Sequence, residues 1–378
     1  MALPSRIVDY ATACSGEAIK QTPFYRPIGW PSAELPSDEE TGLHLDPTSA
    51  TDALTIGRLL MASYENEFIF LPDEPSRIDM NAWKQHYAPQ KIYGAHVVRH
   101  HFEKDYFAPF RGAIEVTGVW TQTTLKDYFR AYKENLTCED TRQIAERIKV
   151  SHFPEETARF HAIQLAADFL VESSAMVRNL QGYYGPQQSE LFKIVIDEFG
   201  YGVHETKHST LYKSFLESIG LRSEPHDYWW WYLPSTIFAN NYYNLICNNH
   251  TYFFNYIGAI TQIENAFVIS FQYPKELFES VFSGRADTRY FAEHMHIDQH
   301  HGRMAADNLM FAMAERFGDT LIPEFIRGFE ESIYLGALYK ADLLRQLDWV
   351  DALGSELKIA DEENLRLETT LVDSTSVI

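Results

Sequence analysis

The sequence predicts an all-α protein in which long helices form a bundle. After residue 123, apolar residues recur at intervals of three and four positions, which is the spacing of one helix face. Proline opens several of these stretches and glycine closes others, in the order typical of helix starts and stops. No block of alternating β-branched residues competes with this pattern, except for a short run at 114–122.

The periodic stretches give the predicted elements in chain order. Two lie before the β-like run, and the others follow it; the predicted helices are 53–71, 91–107, 123–136, 154–180, 186–200, 209–219, 235–271, 287–317 and 323–353. The third opens with threonine at the cap position and an acidic residue soon after, which is a helix-start signal.

Composition divides the chain into three parts. Residues 1–118 combine an arm rich in proline, serine and acidic residues with the first two helices. Residues 119–353 form the predicted bundle, and the β-like run marks the boundary between the two parts. Residues 354–378 are a polar tail that we expect to be loosely held.

Charge and cysteine usage exclude several classes of protein. The chain has 378 residues and a formal net charge of −21, so we expect no nucleic-acid partner, because phosphate binding needs clustered cations. Its three cysteines are far apart and form no CxxC pair, which argues against a disulfide framework or a cysteine-rich zinc site. With no secretion signal and no long apolar window, the sequence predicts a cytoplasmic protein without a membrane span.

Three glutamates stand at positions where the apolar helix faces require core residues. Glu172, Glu198 and Glu264 each continue the apolar stripe of a different predicted helix. Burying a lone carboxylate costs several kcal/mol unless a cation or hydrogen bonds compensate. A buried ion pair would explain one such residue, but three with few basic residues on the same faces favour a metal site.

A fourth helix carries a histidine-rich segment with the spacing of a ligand triad. At 100° per residue, His294, Asp298 and His301 fall within one 60° sector of the helix. Two imidazoles and a carboxylate in this arrangement form a set of the kind that iron uses. The competing register, His296 with His300, has no carboxylate on its face, so we interpret these two as solvated or outside the ligand set.

Between the second and third glutamate lies a segment with two interpretations. His204, Glu205 and His208 formally match HExxH, the helical motif of zinc proteases, although the residues that follow fit neither common subtype. Alternatively, Glu198 and His208 act together. On an unbroken helix they would be about 15 Å apart, but the glycines at 200 and 202 allow one helix to end and another to begin at a new angle.

The ordered set resembles the haem-oxygenase-like di-iron oxidases and oxygenases. The resemblance depends on Glu172, on Glu198 with His208 ten residues later, on Glu264, and on the HxxxDxxH motif of 294–301. It implies a haem-oxygenase-like seven-helix bundle, with an N-terminal helical extension at 1–118 that mediates homodimerisation. The spacing is closest to the N-oxygenating branch, of the streptozotocin-pathway type, whose C-terminal cupin domain we do not expect here.

The resemblance also implies an activity. Two ferrous ions held by these seven residues would react with O2, and electrons from an unidentified donor would support N-oxygenation of an amino-acid-like amine or guanidine in natural-product biosynthesis. The assignment of each ligand to one iron stays open. Alternatives on the same scaffold are oxidative desaturation and C–C cleavage; a zinc protease and a metal-binding protein without catalysis are the alternatives from other classes.

Overall fold

A computed structural model of the protein describes residues 50–71, 75–225 and 227–353. Within these ranges the secondary structure is helical and contains no strand, which confirms the all-α prediction. None of the helices in the described part is both long and apolar enough to cross a membrane. The predicted arm at residues 1–50, except for its last residue, and the predicted tail at 354–378 lie outside the described residues.

The helices have the following bounds: α1 Ala50–Glu65, α2 Met80–His86, α3 Pro89–Gly112, α4 Gln122–Asn135, α5 Glu139–Lys149, α6 Pro154–Phe169, α7 Pro186–Glu198, α8 His208–Ser218, α9 Pro234–Asn248, α10 Phe253–Ser270, α11 Gln272–Val281, α12 Arg289–Arg303, α13 Ala312–Phe317 and α14 Ile322–Leu353. A π-helical segment, Met304–Phe311, joins α12 to α13. Short 3₁₀ turns connect several of the others, including Met176–Leu180, Gly200–Gly202 and His204–Thr206.

Two predicted helices are broken in the structure, and the β-like run does not form a strand. The helix predicted for 154–180 ends at Phe169, and Ser173 beyond it takes the left-handed conformation (φ 63°), which a helix cannot contain. The stretch 235–271 forms two helices, α9 and α10. Between these helices the Asn249 side chain accepts a hydrogen bond from the Thr251 backbone amide and caps a new turn. The run at 114–122 is mostly irregular and includes the start of α4.

The bundle core forms where α10 packs between α12 and α14. Two glycines permit the α10–α14 approach: a Cβ on Gly258 would collide with the carbonyl of Phe325, and one on Gly328 with the carbonyl of Asn255. On the other side, Gly302 of α12 lies against the Asn265 side chain of α10. The backbones of α10 and α12 are therefore close enough for short polar side chains on both helices to meet.

The described residues form two compact units. The first contains the described residues up to 109 together with 224–242, and the second contains 110–223 and 243–353. In the first unit, Trp229 and Tyr232 are buried, as expected for core aromatic residues. The predicted domain boundaries at residues 118 and 353 stay predictions. All residues of the site described below belong to the second unit.

Candidate metal centre

The seven residues selected from the sequence converge in the structure. Their ligand atoms form two groups, each with all its atoms within 4.8 Å of one another. The groups are Glu172, Glu198, His208 and His294, and Glu198, Glu264, Asp298 and His301. Glu198 belongs to both, so the two groups adjoin and form one cluster, which we call the ligand cluster.

Helix α12 contributes three of these residues from a single face. His294, Asp298 and His301 are 2%, 1% and 0% exposed, whereas His296 and His300 are exposed. This confirms the predicted register, in which positions i, i+4 and i+7 face the interior. The helical spacing alone places these three side chains together.

Glu264 and Glu198 enter the cluster from two other helices. Glu264 lies in α10, opposite α12, and its Oε2 is 3.3 Å from His301 Nδ1. Glu198 is the last residue of α7, and its Oε1 is 3.4 Å from the same nitrogen. Its second oxygen, Oε2, is 2.7 Å from His208 Nδ1. Glu198 therefore lies between a histidine of each group.

Glu172 reaches the cluster from an irregular segment and not from a helix face. It lies three residues beyond the end of α6, so it does reach the cluster, but the predicted helix does not extend to it. Its Oε1 is 3.2 Å from His294 Nε2 and accepts a hydrogen bond from the Tyr290 hydroxyl at 2.8 Å. The neighbouring Ser173 hydroxyl donates to Glu198 Oε2, which fixes this segment against α7.

The break between α7 and α8 brings His208 back to Glu198. Gly200, Tyr201 and Gly202 all have positive φ, and the chain at Gly200 passes so close to Lys207 that a Cβ would lie 2.6 Å from its amide nitrogen. The two glycines therefore form a tight reversal that most other residues could not. His208 is the first residue of α8 and is 2% exposed.

The same segment argues against a zinc protease. The HExxH mechanism needs two histidines one turn apart on a helix, with the glutamate beside them. Here His204 and Glu205 lie in a separate 3₁₀ turn and are exposed, whereas His208 begins the next helix and is buried. His204 and Glu205 are therefore not part of the ligand cluster.

Two further residues orient the histidines, and sequence reasoning missed both. His301 Nε2 is 2.9 Å from Asp197 Oδ2, and His294 Nδ1 is 2.9 Å from the carbonyl oxygen of Tyr290. Such partners fix the proton on one ring nitrogen and leave the other free to bind a metal. Signals were available, since Asp197 adjoins Glu198 and Tyr290 precedes His294 by one helical turn.

The carboxylates affect one another strongly. Burial and then the charge of Glu264 raise the pKa of Asp298 well above its usual value. Burial and the charge of Glu198 do the same to the pKa of Glu172. Burial opposes ionisation of Glu198 as well, but the nearby His208, His301 and His294 together more than offset it and lower the pKa of Glu198 well below its usual value. Without a cation, close packing of the carboxylates therefore disfavours ionisation of Asp298 and Glu172.

Several ligand atoms lack the hydrogen bonds that buried polar atoms normally have. Both carboxylate oxygens of Asp298, Nδ1 of His301 and Oε2 of Glu172 are buried without a hydrogen-bond partner. All of them belong to residues of the ligand cluster, where a metal ion would bind such atoms. Carboxylate oxygens and imidazole nitrogens are also ligands that suit iron, so the residues fit such an ion.

The fold and this cluster define an all-α bundle with a candidate metal centre, and comparison with known proteins assigns its family. Residues 157–337 match the sequence profile of a family described as iron-containing redox enzymes. The helical bundle within this range belongs to this haem-oxygenase-like family, as the resemblance predicted. All seven residues of the ligand cluster lie within the matched range.

A curated relative supports the assignment. The chain is 39% identical over 309 residues to a nitrosourea synthase of Streptomyces achromogenes subsp. streptozoticus. The match covers 82% of this chain and 65% of the relative, so the chain spans somewhat less than two thirds of the relative's length. The chain is therefore similar to part of this nitrosourea synthase.

Proposed function

We propose that the protein is a non-haem di-iron, O2-dependent N-oxygenase that acts on an amino-acid-derived amine or guanidine. The observation that carries this proposal is the pair of adjoining ligand groups that share Glu198. One ion would be held by each group, with Glu198 contacting both. The relative's name refers to nitrosourea, a compound with an oxidised nitrogen, which supports the choice of N-oxygenation.

Charge balance supports two ions rather than one. The cluster contains four carboxylates and three histidines, so its full negative charge when ionised equals the charge of two divalent cations. One ion would leave two buried negative charges without compensation, at a cost of several kcal/mol. The three imidazoles add neutral ligands and leave coordination positions for O2. Seven ligands are also too many for one tetrahedral zinc.

The proposed reaction uses O2 as oxidant. One oxygen atom enters the new N–O bond, the other leaves as water, and an external donor supplies two electrons and the medium two protons. Bound iron would supply the activation of O2. The chain itself holds the ligands in place through Asp197 and Tyr290, and it keeps the cluster dry by burying it under aromatic side chains such as Phe271.

The remaining predictions belong to this proposal. The protein would work as a cytoplasmic homodimer, with its N-terminal region as the dimerisation element, in natural-product biosynthesis, and its electron donor is unidentified. Oxidative desaturation or C–C cleavage on the same scaffold is the alternative reaction. The substrate class distinguishes these, because N-oxygenation needs a nitrogen lone pair near the cluster and the alternatives need a C–H bond there.

Metal analysis and a product assay test the proposal. After anaerobic loading with Fe(II), we expect two irons per chain; one zinc and no iron would overturn it. On exposure to O2 with lysine, arginine or their N-methylated forms, products heavier by one oxygen atom are expected. Products that have lost two hydrogens or a carbon fragment would instead establish the alternative reaction.

Two variants separate the di-iron enzyme from a zinc protease. Glu264→Ala removes a buried residue of the ligand cluster and should abolish iron-dependent O2 consumption. Glu205→Ala changes an exposed residue outside the cluster and should leave it unchanged. A zinc protease would instead lose its peptidase activity in Glu205→Ala and keep it in Glu264→Ala, because Glu205 would be its general base.

A further inference from the structure

We propose that Asn265 is a positioning residue, which holds Glu264 and His301 at the separation at which both can bind one ion. The inference rests on the proposed function, because it concerns one of the two ligand groups. Asn265 directly follows Glu264 on α10 and belongs to neither group. Its side chain is 3% exposed, in the region where α10 packs against α12.

The first observation is that groups from three helices meet at the side-chain amide of Asn265. Its nitrogen, Nδ2, donates to the carbonyl oxygen of Thr261 in α10 at 2.7 Å and to that of Gly302 in α12 at 3.0 Å. Its oxygen, Oδ1, accepts a hydrogen bond from Lys133 Nζ of α4 at 2.9 Å. Because the opposite orientation would direct the oxygen at two carbonyls and the nitrogen at an ammonium group, these partners allow only one orientation of the amide.

The second observation is that the bond from Asn265 to Gly302 joins the residues that follow two ligands. Glu264 precedes Asn265, His301 precedes Gly302, and Glu264 Oε2 is 3.3 Å from His301 Nδ1. A Cβ on Gly302 would lie 2.9 Å from Asn265 Oδ1 and 3.1 Å from the carbonyl oxygen of Glu264, so the two helices are in close contact at this level. A change in this contact would therefore move Glu264 relative to His301.

The third observation is that this bond lies where α12 changes into a π-helix. The π-helical segment begins at Met304. Because a π-helix pairs residues five apart and an α-helix pairs residues four apart, the regular pattern of backbone hydrogen bonds is interrupted at the junction. Asn265 donates to the carbonyl of Gly302 before the junction, and Thr261 Oγ1 donates to the carbonyl of Ala305 after it, at 3.2 Å. Two side chains of α10 therefore hold both sides of the junction, close to the end of the HxxxDxxH motif.

These contacts affect one ligand group more than the other. Glu264 and His301 belong to the same group, whereas the other group has no ligand from α10. The α12 ligand of that other group, His294, precedes Gly302 by about 12 Å along the helix. Loss of the Asn265 amide should therefore weaken the ion held by Glu264 and His301 and leave the second ion in place.

Iron binding by two variants tests the inference. Asn265→Leu has nearly the same shape but makes no side-chain hydrogen bonds, and it should lower the affinity for one of the two irons by about tenfold or more. Lys133→Met keeps the bond to Gly302 but leaves Oδ1 without its donor, so its effect on the same iron should be smaller. Anaerobic titration of the full chain with Fe(II) against a chelator measures both affinities, and Mössbauer spectra of the loaded protein distinguish the two sites.

Asn248→Ala is the matched control. Asn248 donates to the carbonyl of Asn244, four residues earlier in α9, at 2.8 Å, as Asn265 does to Thr261 in α10. That bond stays within one helix, so the control should keep both irons. The inference is wrong if Asn265→Leu binds both irons as tightly as the wild type. It is also wrong if the variant loses both equally, because a general loss of structure would have that effect.

A second measurement requires no iron. In the iron-free protein, hydrogen exchange of the backbone amides at 302–306 should become about tenfold faster in Asn265→Leu, because α12 loses a bond to α10, and should stay unchanged in Asn248→Ala. Unchanged exchange in Asn265→Leu would overturn the inference. A wild-type chain that binds no iron refutes the di-iron proposal, and the exchange data then decide separately whether Asn265 holds α12 in position.

Discussion

The Nε2 nitrogen of His301 is 2.9 Å from Oδ2 of Asp197, and this contact determines which ring nitrogen faces the ligand cluster. The opposite nitrogen, Nδ1, lies 3.3 Å from Glu264, 3.4 Å from Glu198 and 3.5 Å from Asp298. Because Asp197 holds the proton on Nε2, the lone pair of Nδ1 points toward these carboxylates. Asp197 is therefore a positioning residue that acts through His301.

Asp197→Ala should weaken iron binding by about 10- to 100-fold, the usual effect of removing such a partner. Competition with a chelator of known affinity under anaerobic conditions measures the change. Asp197→Asn keeps a hydrogen-bond acceptor and should recover part of the loss, which a purely structural role would not produce. Asp127→Asn, on the exposed surface of α4, is the control and should leave the affinity unchanged. Unaltered iron affinity in Asp197→Ala would contradict this role.

Asp298→Asn should make the iron-free protein more stable, by about 1–2 kcal/mol, because it removes a buried carboxylate whose ionisation is opposed by burial and by the charge of Glu264. Urea unfolding in the presence of a chelator measures the difference. The same variant should bind less iron, so stability and metal affinity would change in opposite directions. Asp307→Asn, exposed in the adjoining π-helical segment, is the control. An iron-free Asp298→Asn protein less stable than the wild type would refute the prediction.

The ligand cluster should also make the iron-free protein less stable as the pH rises. The pKa values of Asp298 and Glu172 are raised in the folded state, so both bind protons more tightly there than in the unfolded chain. Their contribution to stability is present at low pH and is lost as the pH rises above about 4, the ordinary carboxylate value. Unfolding free energies at pH 6 and pH 8 should show the decrease, and bound iron should abolish it. A rise in stability between these pH values would oppose the prediction.

His161 should produce the opposite pH dependence. It is buried next to the Tyr339 hydroxyl, 2.9 Å away, and burial lowers its pKa from 6.5 to about 4. A neutral folded histidine contributes stability that is present above about 6.5 and lost as the pH falls toward 4, about 2 kcal/mol between pH 7 and pH 5. His161→Gln should remove this part of the pH dependence, and His250→Gln, at an exposed position, should not. If the unfolding free energies of the wild type and His161→Gln depend equally on pH between pH 5 and pH 7, this prediction is wrong.

Gly200→Ala tests the reversal that places His208. The alanine would have to adopt φ 62° and its Cβ would contact the backbone of Lys207, so both stability and iron affinity should fall. Gly202→Ala is a matched control in the same turn: φ is again positive, at 81°, but no atom lies within 4 Å of the added Cβ. The control should lose about 1–2 kcal/mol of stability from the backbone alone and keep its iron affinity. If both variants bind iron equally well, the close approach at Gly200 does not position His208.

The element breaks show where sequence periodicity fails. Met176 and Leu180 continue the apolar spacing of α6, so the sequence predicts one helix up to residue 180. In the structure these residues lie in a 3₁₀ turn that follows a left-handed Ser173. Both residues are only partly buried there. Periodicity therefore identified an inward-facing Glu172 but not the irregular backbone that carries it.

The sequence by itself determined the fold class and the ligand set. His294, Asp298 and His301 are local to one helix, and Glu264 continues an apolar face, so helical geometry is enough to select them. Only the tertiary structure decided the rest. Asp197 and His301 are 104 positions apart, and Glu198 and Glu264 approach His301 from two other helices. Helical spacing follows from neighbouring residues along the chain, whereas the partners of a charge depend on how distant segments pack.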